Sequence, residues 1–158
     1  MFPSDKRRAV AKTLLLVWPA IEEERRVLNG KIDYYCSRGM NPAWNTEQLM
    51  EKIAEVSAKS AMLQNLKKEI DGAVAQLPEK LQRVINAYYT RRKFKEKVVS
   101  AGFAETTFLR HLDLAINAVS LRLDGIGINA FTWQNLLANF TLIRSIFEKQ
   151  KVKRAVEN

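Results

Sequence analysis

The sequence predicts an all-α protein: a long N-terminal α-hairpin of coiled-coil character, a compact helical motif after it, and one further helix toward the C-terminal end. Three observations predict it. Only six glycines and four prolines fall in 158 residues, and the stretches between them are rich in Ala, Leu, Glu, Lys and Arg, which are strong helix formers. Apolar residues recur at steps of three and four rather than alternating with polar ones, so no window reads as a strand. With 47% apolar and 27% charged residues, the chain can bury an ordinary core and is neither disordered nor membranous in composition.

The first helix opens at Ser4 or Asp5, either of which can cap it. Its apolar positions are Val10, Leu14, Val17, Ile21, Leu28, Ile32 and Tyr35, the rhythm of a heptad seam. Pro19 lies inside and predicts a kink or a break. The pattern ends in the loop chemistry of Ser37-Arg38-Gly39-Met40-Asn41-Pro42. A second long helix opens at Asn45 or Thr46, with Gln48 in capping-box position after Asn45. Its seam runs Leu49, Ile53, Val56, Ser60, Leu63, Lys67, Ile70, Val74 and Leu77. Two helices of about 40 Å, at 1.5 Å per residue, joined by a short loop fold most simply as an antiparallel hairpin. The polar Ser60 and Lys67 interrupt the seam, which leaves open either a plain scaffold or a dimerising coiled coil.

Gln76-Leu77-Pro78-Glu79 breaks that rhythm, and Pro78 suits the first turn of a new helix, Glu79 to Tyr89, with Leu81, Val84, Ile85 and Tyr88 inward. The basic run Arg91-Arg92-Lys93-Phe94-Lys95-Glu96-Lys97 follows. Next come a short helix ending at Ala101-Gly102 and a longer one from about Ala104 to Leu123, closed by Asp124-Gly125-Ile126-Gly127. Thr132 is the expected cap of a last helix carrying Trp133, Leu136, Leu137, Phe140, Ile143 and Phe147, and residues 149–158 are expected to fray. The stripe of Trp133, Phe140 and Phe147 is either core or a partner surface. The expected divisions are 1–76 for the hairpin, 77–124 for the motif and 125–158 for the C-terminal helix and basic tail.

The balance of 26 Lys and Arg against 17 Asp and Glu gives a net charge of +9, which points to a polyanionic partner and carries no information about fold. No apolar run approaches the ~18 residues of a membrane span. The segment Leu14 to Ile21 runs into Glu22-Glu23-Glu24 with no small-residue cleavage site, so no signal peptide is expected. A single cysteine, Cys36, excludes an internal disulfide framework, and a single histidine, His111, excludes most His-based metal and triad chemistry. The expected location is cytoplasmic.

The informative stretch is Leu77 to Leu123. Gly102-Phe103-Ala104 joins two helices through a three-residue turn, and Gly102 can adopt the left-handed conformation that a steep crossing needs. Val98 and Val99 before the turn, with Phe108, Leu112 and Ala115 after it, are the expected points of contact between the helices. The string Leu77-Pro78, then Glu96-Lys97-Val98-Val99, Gly102, Thr107-Phe108, Arg110 and Ala115 resembles region 4 of bacterial sigma factors over about 45 residues. The layout of an α-hairpin followed by such a motif resembles the small phage transcriptional activators of the ArpU and RinA type. That resemblance implies a helix-turn-helix that binds DNA in phage or prophage gene regulation. The chain departs from the sigma pattern at Ala104 (usually Ser, the N-cap), at Lys97-Val98 (usually Ile-Ala) and at Leu109 (usually polar or basic).

A recognition helix offers its first residues to base edges, which makes Glu105, Thr106, Leu109 and Arg110 the candidate base contacts. Arginine can fork onto guanine, glutamate can accept from the cytosine amino group, and Thr or Leu can meet the thymine methyl. Arg91, Arg92, Lys93, Lys95 and Lys97 are the candidate phosphate contacts, and with Glu96 they give a local charge of +4. Double-stranded DNA is the expected partner. RNA polymerase is a further candidate, as is a second copy held through the hairpin or the C-terminal helix; no membrane is expected. There is no Gly-rich phosphate loop, H-E-x-x-H or Ser-His-Asp set, so neither an enzyme nor a cofactor or metal is expected. Two other readings stay open: a protein-binding module or inhibitor with a degenerate motif, and a small-terminase-like DNA-packaging adaptor.

Overall fold

The computed structural model describes residues 4–38, 44–90 and 94–157, with side chains described over 6–37, 44–89, 96–99 and 101–151. Among the described residues the chain is helical with no strand. The elements are α1 Ser4–Val17, a 3-10 turn Trp18–Ala20, α2 Ile21–Arg38, α3 Thr46–Ala75, α4 Glu79–Thr90, α5 Phe94–Ala101, α6 Glu105–Leu121, α7 Ala130–Asn139 and α8 Thr141–Glu157. Among the described residues no helix is long and apolar enough to cross a membrane. The all-α expectation is met.

The division of the chain departs from the expected 1–76, 77–124 and 125–158. One compact unit joins residues 1–19 to 69–158, and the other comprises residues 20–68. The break falls where the sequence signals one: Pro19 lacks an N–H and cannot continue the helix regularly, so Trp18-Pro19-Ala20 tightens into a 3-10 turn. The part before the break does not form one arm of a hairpin. α1 packs on α6 and α8, and Ala11, Thr13 and Leu15 are as fully buried as the seam residues Val10, Leu14 and Val17. Buried residues on more than half of a helix's circumference need more than one covering neighbour, and the run Leu14-Leu15-Leu16-Val17 is the local mark of that. The buried Thr13 hydroxyl is satisfied by donating to the Ala9 carbonyl at 2.8 Å.

In the larger unit α4 packs against both α5 and α6, burying Val84, Ile85 and Ala87 on its inner face. Pro78 precedes α4 as expected, and its carbonyl accepts from the Leu81 and Gln82 amides. The Gln82 side-chain amide donates back to the Leu77 carbonyl at 2.8 Å and the Ala75 carbonyl at 3.1 Å. These bonds satisfy carbonyls left over at the end of α3. The Trp18 indole N–H donates to Asp71 at 2.8 Å, within the same unit.

The expected single C-terminal helix is two helices. Asn129, not Thr132, is the N-cap of α7, and its side-chain oxygen accepts from the Thr132 amide at 2.9 Å. α7 stops at Asn139, where Phe140 turns extended (φ −127°, ψ 108°) while still donating its N–H to the Leu136 carbonyl. Arg144 of α8 reaches back to the Leu137 carbonyl at 3.0 Å and the Ala138 carbonyl at 3.4 Å. A cation on exposed terminal carbonyls is a favourable C-terminal cap, and it holds the corner. α8 then runs to Glu157, where fraying was expected.

The smaller unit holds α2 and most of α3. Asn45 and Gln48 form the expected reciprocal capping box, with Gln48 N–H donating to Asn45 Oδ1 at 2.9 Å and Asn45 N–H to Gln48 Oε1 at 3.0 Å. Ile21, Val56, Leu63 and Leu66 are buried. Ser60, an interruption of the seam in the sequence, is buried and bonds through its hydroxyl to Asn29 Oδ1 at 2.9 Å. Its partner is therefore within the unit.

Candidate nucleic-acid interface

The turn between α5 and α6 is Gly102-Phe103-Ala104. Gly102 has φ +77°, a conformation that costs any residue bearing a Cβ, and its N–H bonds the Val99 carbonyl at 3.1 Å. Phe103 sets its ring edge-on to His111 with centroids 4.8 Å apart, and the Arg83 guanidinium lies 5.5 Å from the Phe103 centroid. His111 Nδ1 is buried without a hydrogen-bond partner. Ala104 caps α6 in extended conformation and supplies no side-chain bond, so the first-turn amides of α6 have no side-chain acceptor there.

α6 is held by its inner face, where Phe108, Leu112, Ala115, Ile116 and Val119 are buried. Tyr88 of α4 lies against Phe108 with centroids 6.3 Å apart. Of the residues expected to touch across the turn, Phe108, Leu112 and Ala115 are buried and Val98 is partly buried. Val99 is 79% exposed, and Ala101 takes the buried position instead. The correction follows from the 100° step per helical residue: neighbouring valines cannot share one face of an eight-residue helix, and Val98 is the less exposed of the two.

The four candidate base contacts share one surface. Glu105, Thr106 and Arg110 are exposed, and Leu109 is 45% exposed; their spacing covers roughly 140° of the helix circumference. Of the candidate phosphate contacts, Arg91, Arg92 and Lys93 lie outside the described residues, and Lys95 belongs to α5 with its side chain outside them. Lys97 is partly buried and holds its ammonium 4.1 Å from the Tyr88 ring centroid, a cation–π arrangement.

The stripe suggested as a partner surface is not one. Trp133 and Phe147 are buried edge to face with centroids 5.1 Å apart, and Phe140 sits partly buried at the α7–α8 corner. Because the helix breaks at Phe140, a spacing of seven along the sequence no longer marks one face. Exposed apolar side chains lie instead on α6, at Leu114 and Leu121, and at Phe131 of α7.

Sequence reasoning missed what α1 brings to α6. Arg8 bonds Asp113 at 2.5 Å and also the Asn117 side chain, and Arg7 reaches Asp124 at 3.5 Å. Beside them opens a cleft of about 280 Å³ lined by Arg8, Lys12 and Leu16 of α1, Tyr88 and Tyr89 of α4, Leu109, Leu112, Asp113 and Ile116 of α6, and Gln150 of α8. Burial raises the pKa of the Tyr89 hydroxyl far above its usual range, with the neighbouring Tyr88 adding to the shift and Arg8 opposing it. The only local signal was the basic Lys6-Arg7-Arg8; where those charges end up is a long-range property. Compared with family models, curated proteins and solved structures, the chain matches none.

Proposed function

We propose that the protein is a DNA-binding transcriptional regulator of the kind phages and prophages carry, reading duplex DNA through a helix-turn-helix formed by α5, the Gly102 turn and α6. The observation that carries this reading is the surface of α6. Glu105, Thr106, Leu109 and Arg110 face outward together on its first two turns, while Phe108, Leu112 and Ala115 anchor the opposite side. The positive φ of Gly102 and the likeness of Leu77 to Leu123 to sigma region 4 support it. In this reading Arg110 forks onto a guanine, Glu105 accepts from a cytosine amino group, and Thr106 and Leu109 meet thymine methyls. Arg91, Arg92, Lys93, Lys95 and Lys97 hold the backbone and set register.

The test is binding of the full chain to duplex DNA from upstream of its own gene and to a shuffled duplex, at physiological salt. A clear preference for the first is the expected result; equal affinities would remove sequence-specific reading. Exchanging Arg91, Arg92 and Lys93 for Ala should weaken binding to both duplexes and flatten the salt dependence.

A protein-docking module is favoured by one observation, the exposure of Leu114 (51%) and Leu121 (72%) on the same helix. In that case changing Leu114 and Leu121 to Ser abolishes activity while the basic substitutions leave it intact.

A further inference from the structure

We infer that Arg83 of α4 is a backbone-phosphate contact of the DNA-binding surface, held in place by the ring of Phe103 in the turn before α6. This rests on the DNA-binding reading of α6. It assigns to that site a cation outside the basic run Arg91 to Lys97, and a positioning residue, Phe103, that itself touches no DNA.

Placement carries the argument first. α4 buries Val84, Ile85 and Ala87, and Arg83 stands exposed beside them. Its side chain extends to the turn: Nη1 lies 3.9 Å from the position that a Cβ on Gly102 would take, and the guanidinium carbon lies 5.5 Å from the Phe103 centroid. Glu105 and Thr106, the first candidate base contacts, open the helix that follows this turn. A recognition helix meets base edges with its N-terminal residues, and the parts of the motif beside that end lie against the sugar-phosphate backbone. Arg83 therefore stands where a phosphate is met, next to the residues that meet bases.

Its chemistry suits an oxyanion. Arg7, Arg8, Arg25 and Arg26 each pair with a carboxylate, which offsets their charge. Arg83 rests on a neutral ring and, among the described residues, has no carboxylate partner. A guanidinium presents five N–H donors in a planar fork that matches phosphate oxygens, and contact with one ring leaves most of them for a ligand. The ring is fixed in turn by His111 of α6, edge to face with centroids 4.8 Å apart. A long side chain loses rotamer freedom when it binds. Phe103 imposes part of that restriction before DNA arrives, which raises affinity without adding a contact.

The test uses the full-length chain and fluorescence anisotropy on its upstream duplex and on a shuffled one. Arg83→Ala should weaken binding to both duplexes by the same factor, on the order of tenfold. It should also reduce the loss of affinity between 50 and 200 mM salt by about threefold, the effect of one phosphate contact. Arg83→Lys should keep the salt slope and lose part of the affinity, because an ammonium keeps the charge without the fork. Phe103→Leu should weaken binding in the parent chain and have no further effect in the Arg83→Ala background, a coupling that a purely structural role for the ring would not produce. Lys59→Ala, on α3 in the other unit and paired with Glu55, should change nothing, and circular dichroism melts verify that each variant is folded. Unchanged affinity and slope in Arg83→Ala, with the parent chain binding DNA, overturn this inference alone, as does a loss equal to that of Lys59→Ala. A Phe103→Leu loss that persists in the Arg83→Ala background overturns the positioning role. If the parent chain binds neither duplex, the reading of α6 itself fails, and this inference with it.

Discussion

In the unit built from residues 1–19 and 69–158, side chains meet across great sequence distances: Arg7 with Asp124, Arg8 with Asn117 and Asp113, at separations of 117, 109 and 105 residues. In the unit of residues 20–68, several ion pairs join residues three or four apart on one helix. Among them are Arg25 with Glu22, Arg26 with Glu23, and Lys52 and Lys59 with Glu55. The core follows the same division. The larger unit buries extended helix faces, while the smaller buries fewer apolar side chains and holds the buried Ser60 hydroxyl against the exposed Asn29. Exposed pairs at helical spacing are screened by solvent and contribute little, so the smaller unit rests on its buried residues. The larger rests on helices that are not neighbours in sequence, and it also carries the candidate interface.

The comparison can be broken most forcefully at Leu15. In a seam defined by Val10, Leu14 and Val17 this residue would face outward, and its truncation would cost little; buried completely in the larger unit, Leu15→Ala should cost about 2–5 kcal/mol. Urea unfolding measures it, and a change under about 0.5 kcal/mol would return α1 to a hairpin. Gly102→Ala comes next. The added methyl would find Arg83 Nη1 at 3.9 Å, an ordinary contact, so the cost is conformational, roughly 1–2 kcal/mol. It should fall on the larger unit, seen as faster amide exchange in α5 and α6 than in α2.

In the smaller unit Ser60→Ala should cost about 1 kcal/mol, because the exposed Asn29 can turn to water once its partner is gone. A much larger loss would mean that this unit leans on buried polar contacts more than on its apolar residues. The smallest effect is electrostatic. The Arg26 hydrogen bond holds the Glu23 carboxyl below its ordinary pKa, so what the pair contributes is present above the unfolded carboxylate's pKa and lost as pH falls through the lower folded one. Carbon-detected NMR should show Glu23 returning to the ordinary range in Arg26→Ala, with no measurable change in melting temperature.

What the sequence made legible is what local chemistry decides. The Asn45–Gln48 box, Pro78 ahead of α4, the Gly102 turn and the inward Phe108, Leu112 and Ala115 each follow from groups a few residues apart. The outward residues of α6 followed from those same spacings. The placement of α1 did not, because a 3-4 seam states that a helix has an apolar face and not which helix covers it; only the apolar run Leu14 to Val17 hinted at more than one neighbour. The corner at Phe140 escaped for a related reason. Thr132 and Asn129 are both good caps, and the bonds from Arg144 that hold the corner exist only once α8 has turned back. For the candidate interface, Arg8 and Lys12 were visible as charges and invisible as neighbours of Leu109.

The burial of α1 between α6 and α8 also has a consequence for biosynthesis. Arg8 leaves the ribosome 109 residues ahead of Asn117, which at 5–20 residues per second is roughly 5–20 s. During that interval the apolar run of α1 lacks the cover that α6 and α8 give it, while α2 and the first turns of α3 are already made. The nascent chain should therefore present α1 to chaperones until α8 emerges, with the smaller unit folding first and the candidate DNA-binding surface completed last.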